Sequence, residues 1–460
     1  MRPRPSRQPV VPRTGERLTV RFTGLATDGA ALARVGLATL SVPFGIPGED
    51  AVVEVTRGGR RAEGRLVALV RKSADVTPAR CPHFGRCGGC QWQHLVPDAQ
   101  RRLKTRLVRD FLKEHVGVRR DLVAETVGGE VWAYRNVLRA TVGAREGRAV
   151  VGFYVTGGAR VVDVAACPVQ HPANEAILHA VRRAVRALGW PPYDRSTGHG
   201  LVRGVVGLAA HATGEALLVL STARALPDPT ALVHALIDRV PGLVGILHTV
   251  QPAPTLELLG PRVRLLWGRA YVEDEIAGYR IRLRPDSDLP PNPSALPLLL
   301  EAILRLAAPD AHDAVVDLHA TTPLAVLALA GRAQVATGLV ARRRLLDDHR
   351  AAAAANGVPN AVFVPRTPRA YLARAARRRR PQVALVESRG QGLEPAVVEA
   401  VAGCGIPRVV SVARSLAACA RDLHAWQRAG YRVERVCPVD LLPHTSHVHV
   451  VVGLRRADGG

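Results

Sequence analysis

No stretch of the 460-residue chain is apolar and long enough to cross a bilayer as a helix, so no membrane partner is expected. Residues 1–17 are basic and proline-rich and carry no apolar core of the kind that marks a secretory signal, which points to a reducing, cytoplasmic compartment. Cysteine is rare, 7 in all, and in such a compartment a disulfide framework is not expected. Acidic side chains are also in short supply: 39 Asp and Glu stand against 63 Lys and Arg, a formal net charge of +24. A surplus of that size points to a polyanion, and nucleic acid is the default partner. Codon bias would explain arginine replacing scarce lysine, but explains less well the excess of base over acid. What remains is ordinary for a globular protein: 47% hydrophobic residues, in a chain long enough for two to four domains with proper cores.

The rare cysteines are not scattered. Residues 81–94 read CPHFGRCGGCQWQH, which places Cys81, Cys87 and Cys90 in a C-x5-C-x2-C pattern around Gly88 and Gly89. A fourth, Cys167, follows in AACPVQ and, like Cys81, directly precedes a proline. Three clustered thiolates and one distant one can close a four-coordinate metal or iron–sulfur site, and the glycines allow the tight turns this needs. From spacing alone zinc competes with an iron–sulfur cluster, because four cysteines are a standard structural zinc set.

Along the chain, residues 18–72 read as a small β-barrel. Its short segments LTVRF, ALARV, ATLSV, DAVVEV and RLVALV are separated by turn signals at Asp28-Gly29, Pro47-Gly48 and Gly58-Gly59. Arg57, Arg60, Arg61 and Arg65 charge one hairpin and are candidate nucleic-acid contacts. After the cysteine block, 97–115 has helical spacing, with Leu103, Leu107 and Phe111 on one face and Arg101, Arg102, Lys104 and Arg109 elsewhere. From Val131 to Arg284 the pattern is mostly strands with one helix near 174–188, a mixed α+β region that carries Cys167. Beyond Pro293, buried strands alternate with helices, which implies a doubly wound, Rossmann-like α/β domain with its pocket at the carboxyl ends of the strands. The expected division is a basic tail (1–17), a barrel (18–75), a cysteine-bearing α+β region (76–284) and an α/β domain (285–460), with the 97–115 helix free to pack on the last. The run Arg377 to Arg380 is read as a solvated face.

In this order the pieces resemble the bacterial RNA uridine C5-methyltransferase family, whose members form 5-methyluridine in 23S ribosomal RNA and in tRNA. The resemblance covers nearly the whole chain. The barrel is similar to that family's TRAM domain, and CPHFGRCGGCQWQH with CPVQ is similar to its 4Fe-4S motif. VWAYRNVLRATVG and VVGFYVTGGARVVDVAACPV resemble its central domain. AAAANGVPNAVFV, ACARDL and AGYRVERVCPVDLLPHTSHV resemble its class I methyltransferase domain. The resemblance implies that Cys81, Cys87, Cys90 and Cys167 hold a 4Fe-4S cluster beside the RNA, and that Arg135 and Arg139 contact RNA.

It also implies a chemistry. A cysteine thiolate adds to C6 of a flipped-out uracil, C5 attacks the methyl group of S-adenosylmethionine, and a carboxylate removes the C5 proton before the cysteine leaves. The residues for this are missing. The cofactor turn, D-L-Y-C-G-x-G in the family, reads Asp317-Leu318-His319-Ala320-Thr321-Thr322-Pro323, with Thr321 and Pro323 in place of both glycines. The acid for the cofactor ribose falls at Val340. The Asp-Pro-Pro-Arg turn aligns with Glu387-Ser388-Arg389-Gly390. A glutamine expected before the domain falls at Pro290, while Asn292 is kept. The nucleophile position is Val412 or Arg414, depending on the direction of alignment, and the base position is His449, a side chain able to act as a base near neutral pH. Asp317 and Asn292 remain as candidate cofactor contacts, and S-adenosylmethionine binding is in doubt. Cys404, Cys419 and Cys437 are the remaining thiols. Cys419 shares an apolar helix face with Leu416, Leu423 and Trp426, as a core cysteine does. His444, Thr445 and His447 read as scaffold. The expectation is a monomeric RNA-binding pseudoenzyme. The alternatives are an active uridine C5-methyltransferase with a rearranged site, and an iron–sulfur redox sensor that binds RNA.

Overall fold

The computed structural model describes residues 11–388 and 390–457. The first ten residues of the basic tail, and Arg389 of the Glu387–Gly390 turn, lie outside the described residues.

The first unit is a six-stranded sheet wrapped on one core. Its strands are Arg17–Arg21, Gly24–Leu25, Ala31–Val35, Ala38–Val42, Asp50–Arg57 and Arg61–Arg71, in the order first, fifth, sixth, fourth, third, second. Alternation puts Val20, Leu40, Val42, Val53 and Val55 inward and the arginines outward. The Asp28-Gly29 turn does more than reverse the chain. Gly29 sits at φ +90°, and a Cβ there would come within 2.9 Å of Ser446 and 3.0 Å of the Trp92 indole. Glycine lets the turn press against both, and the Trp92 indole N–H donates to the Gly29 carbonyl at 3.0 Å.

The helix Pro97–Val116 starts with proline at its first turn and ends at Gly117, whose φ of 74° forms a left-handed cap. Leu107, Val108 and Leu112 pack into the core of the last sheet, beside Val316, Val436 and Val450. Lys104 departs from the sequence expectation: it is fully buried, with its ammonium 2.5 Å from the equally buried Asp440 carboxylate and 3.0 Å from the Leu442 carbonyl. The helix is enclosed on two sides, which a single apolar stripe does not announce.

The central sheet has seven strands, in the spatial order Val161–Asp163, Arg148–Tyr154, Val137–Arg145, Val202–Ala209, Ala216–Thr222, Leu243–Val250 and Val263–Gly268. Helix Pro172–Ala187 covers it through Ile177, Leu178 and Val181. A second helix, Pro229–Leu236, is absent from the sequence reading. It makes the crossover between the sheet's parallel strands Ala216–Thr222 and Leu243–Val250.

The last sheet has eight strands, in the order Ala361–Val364, Val335–Leu339, Ala314–Asp317, Val383–Ser388, Arg408–Ala413, His449–Arg456, Tyr431–Asp440 and Val127–Gly128. The first five run parallel, and His449–Arg456 is antiparallel to both its neighbours. The edge strand Val127–Gly128 comes from the region before the central sheet. Strand order reverses between Ala314–Asp317 and Val383–Ser388, and the crevice outside their carboxyl ends is where such a sheet receives a ligand. Helix Pro368–Arg378, also unforeseen, ends within the arginine run. Among the described residues no helix is long and apolar enough to cross a membrane.

Candidate functional site

Two cavities open at the carboxyl ends of the parallel strands. The larger, about 320 Å³, is lined by Asp288, His319, Thr321, Val340, Arg342 and Arg366, among others. The smaller, about 60 Å³, reaches Pro290, Asp317, Glu387 and Val412.

The cofactor turn does not need the glycines that the family carries. None of residues 318–323 takes a positive φ, so side chains are tolerated throughout. Pro323 lines neither cavity. It precedes helix Leu324–Ala330 at φ −76°, ψ −13°, a conformation proline already prefers, and its carbonyl accepts from the Leu327 N–H at 2.9 Å. Pro323 therefore obstructs neither cavity. Val340 does line the larger cavity and offers only an apolar wall. Asp317 is buried at the strand end and accepts the His319 N–H at 2.9 Å. Burial pushes its carboxyl up to about 7, and the nearby Glu387 charge adds to that. Asn292, the other candidate cofactor contact, lines neither cavity. It is fully buried, its amide donates to the Glu130 carbonyl at 2.9 Å, and its Oδ1 accepts from the Ser294 hydroxyl at 2.7 Å. It ties the segment before the α/β domain to the segment after the long helix.

Of the two positions that the resemblance aligns with the nucleophile, Val412 and Arg414, the second is a cation in an ion-pair network. The Arg414 guanidinium donates twice to Glu387 Oε1, at 2.8 and 2.6 Å, and once to Asp288 Oδ1 at 2.7 Å. Its side chain is only 24% exposed. Burial alone would lower its pKa, but the two carboxylates outweigh that and hold it above its ordinary value. Asp288 was not foreseen from sequence; nothing in DSDLPPNP marks one acid above another. Val412 is buried at the end of strand Arg408–Ala413.

His449 is fully enclosed, and burial, with the positive charge of Arg414 next in weight, pushes it down to about 3. A base that weak is neutral and a poor proton acceptor at physiological pH. The other thiols lie away from the crevice. Cys419 is buried in helix Leu416–Arg428, and burial raises its pKa far above the thiol range. Cys404 is the last residue of helix Pro395–Cys404, and burial raises its pKa. Cys437 accepts from Arg305 at 3.2 Å. None of the three lines either cavity.

Cys81, Cys87, Cys90 and Cys167 converge on one small cavity, together with Phe84, Gln93 and Arg135. The loop is held on the strand Arg148–Tyr154 by the Gly88 N–H, which donates to the Tyr154 carbonyl at 3.0 Å; a Cβ on Gly88 would stand 3.3 Å from that oxygen. Polar groups point at the sulfurs: the Gly89 N–H to Cys87 at 3.4 Å and the Gln93 amide to Cys90 at 3.3 Å. Burial pushes Cys90 up to about 11 and Cys167 to about 12, while the Arg135 cation pulls both back. Arg135, expected to contact RNA, thus faces the thiols, whereas Arg139 is exposed. Among the described residues no three Cys, His, Asp or Glu side chains come close enough to share one metal ion.

His444 ties these parts together, at φ 66°. Its carbonyl accepts the Gln91 and Trp92 N–H groups at 2.9 Å, its Nδ1 meets the Gln100 amide at 3.1 Å, and its Nε2 meets the Val131 carbonyl at 2.9 Å. Burial pushes its pKa down to about 4, which keeps it neutral, with Nε2–H donating and Nδ1 accepting. On the first sheet, Arg57 and Arg65 pair with Glu63 and Glu54, while Arg60 and Arg61 are exposed.

No protein-family model matches the chain. An uncharacterized RNA methyltransferase of Halalkalibacterium halodurans is 31% identical over 441 residues, 95% of this chain and 96% of that one. One from Bacillus cereus is 30% identical over 455 residues, 96% and 97% of the two chains. Among solved structures, the tRNA (uracil-54, C5)-methyltransferase of Pyrococcus abyssi, in complex with S-adenosyl-L-homocysteine, superposes with a TM-score of 0.72 at 20% identity, covering 95% of this chain and 99% of that one.

Proposed function

The chain belongs to the RNA uridine C5-methyltransferase family, and on that premise we propose that it is an RNA-binding member in which methyl transfer has been lost. The observation that carries this reading is Arg414, a guanidinium bound by Glu387 and Asp288 where a thiolate is needed. Uracil addition at C6 requires an uncharged-to-anionic nucleophile, and a permanently protonated guanidinium cannot supply one. Val412 has no nucleophilic atom, and His449, held neutral and enclosed, is a poor candidate to remove the C5 proton. RNA is held in this reading by the basic surface, including Arg60, Arg61 and Arg139.

We take the four cysteines as the holders of a 4Fe-4S cluster rather than of a single zinc, as the family resemblance implies. Zinc gathers its sulfurs at about 2.3 Å from one point, whereas a cluster spreads its thiolates around a larger body. The shared cavity, the donors aimed at sulfur and the Arg135 charge suit several thiolates gathered at one site. When bound, the cluster would supply structural bracing of the loop against the central sheet. Cys81, Cys87, Cys90 and Cys167 would hold it.

A second reading, an active methyltransferase with a rearranged site, draws on the cavity of about 320 Å³ at the strand ends, which leaves room for a ligand such as S-adenosylmethionine. One experiment separates the two. The purified protein is incubated with methyl-labelled S-adenosylmethionine and unmodified total RNA, and cofactor binding is followed in parallel by calorimetry. The proposal expects RNA retention on filters with no label in 5-methyluridine. Label transferred to C5 of uridine would overturn it, whatever the calorimetry shows.

A further inference from the structure

A cavity of about 1250 Å³, larger than either at the strand ends, lies away from that crevice. It is a groove on the central sheet, walled by the end of strand Val137–Arg145, the turn before Val161, the segment Pro192–Ser196 and the tip of the cysteine loop. We propose that this groove is a docking site for single-stranded RNA, separate from the crevice that holds Arg414. The inference rests on the RNA-binding reading and deepens it by placing the RNA.

Charge is the first argument. Arg86, Arg160 and Arg195 line the groove from three different segments and are exposed. Among the described residues none of the three forms an ion pair, although 25 such pairs are made elsewhere, so the groove holds its cations in reserve. The acids on the same walls are already engaged. Asp163 pairs with Arg182 at 2.9 Å and Arg186 at 3.4 Å, and Glu146 pairs with Arg145 at 3.3 Å. Asp194 accepts the Ser196 N–H and hydroxyl at 2.8 and 2.7 Å, which fixes the turn that presents Arg195. The unpaired charge is therefore positive, and a phosphate backbone is its complement.

The second argument is the apolar and aromatic surface between the cations. Tyr154 and Tyr193 line the groove, and Leu256 stands 62% exposed on its wall. Tyr193 is braced from behind by Arg203, whose guanidinium carbon lies 4.4 Å from the ring centroid and whose N–H groups are held by the Gln251 and Ala253 carbonyls at 3.0 and 2.8 Å. Rings fixed among arginines suit unstacked bases, the pattern of single-strand recognition; a duplex would offer only its phosphates.

The third is location. The Thr156 N–H donates to the Arg86 carbonyl at 3.0 Å, which zips the cysteine loop onto the groove edge. Arg86 precedes Cys87, so whatever holds the four thiols also sets one wall of the groove. RNA affinity then depends on the cysteine loop without any chemistry at the cysteines.

The test uses the full-length protein, a fluorescent single-stranded RNA of mixed sequence, and a fully paired RNA duplex of equal length. Wild type is expected to favour the single strand. The triple variant Arg86→Ala/Arg160→Ala/Arg195→Ala is expected to bind it at least tenfold more weakly. Its slope of log affinity against log salt should be shallower by about 2, the loss of three single-strand phosphate contacts at roughly 0.7 each. The pair Arg160→Glu/Arg195→Glu, outside the cysteine loop, should weaken binding as much, which guards against a loop-folding artefact. If wild type binds RNA and both variants match it in affinity and slope, the groove assignment is wrong while the RNA-binding reading stands. If wild type prefers the duplex, the single-strand assignment falls. If wild type binds neither RNA, both readings fall together.

Discussion

Replacing Arg414 with alanine tests the ion-pair network at the ends of the parallel strands. The guanidinium makes three charge-assisted hydrogen bonds, at 2.6 to 2.8 Å, to two carboxylates. Breaking a fully buried pair by removing one partner costs about 3–5 kcal/mol. Here the side chains of Arg414, Glu387 and Asp288 are 24%, 22% and 30% exposed, so water screens part of the loss. We therefore expect less than that range, about 2–3 kcal/mol. For a domain of this size that lowers Tm by roughly 4–12 °C, read by calorimetry or by fluorescence of Trp426, which is buried in the same sheet's core. Adding Glu387→Gln to the alanine variant should restore at least about 1 kcal/mol, since the two positions couple directly. A Tm change under about 2 °C for the single variant would mean that the network is a solvated surface pair. The argument that Arg414 is built into the crevice would then fail.

Other outcomes follow from the same packing. Lys104→Met should destabilise the protein by about 3–5 kcal/mol because it strands Asp440 in the core. The double variant Lys104→Met/Asp440→Leu should recover most of that in urea titrations, and a neutral single variant would contradict the buried pair. His349 and His449 are pushed by burial down to about 4 and about 3, against 6.5 when exposed. The unfolded chain then binds more protons below pH 6.5, so stability falls as pH drops from 6.5 toward the folded values. At pH 5 the loss is about 2 kcal/mol for each. His349→Asn should flatten the pH dependence of the urea midpoint between pH 5 and 7, and an unchanged slope would show that His349 is not held neutral. Cys167→Ser should remove iron, sulfide and visible absorbance from protein purified without oxygen; wild type lacking all three would sink the cluster assignment.

Much of the scaffold could be read from residue spacing because it rests on local rules. Alternation marked the strands of the first sheet, and Pro97 and Gly117 frame the long helix by their fixed or freed φ. The buried runs AVVD, VALVES and RVVSVA read as parallel strands, since a strand covered on both faces is apolar throughout. Helix Pro368–Arg378 was missed because only Leu372 and Ala375 are buried, too narrow a stripe to show as periodicity. Lys104 looked like a surface residue because its partner, Asp440, is 336 positions away.

The sequence by itself determined which groups are present: four cysteines of suitable type and spacing, and Val412, Arg414 and His449 at the positions that the resemblance aligns with the nucleophile and the base. Those are statements of identity, and identity does not depend on folding. Only the tertiary structure decided what the substitutes do. Pro323 starts a helix instead of blocking a pocket, Asn292 is a strut, His449 is too deeply buried to titrate near neutrality, and Arg414 is clamped between Glu387 and an acid the sequence did not single out. Each of these depends on burial and on partners distant in the chain, and the groove cations Arg86, Arg160 and Arg195 meet only because three separate segments do.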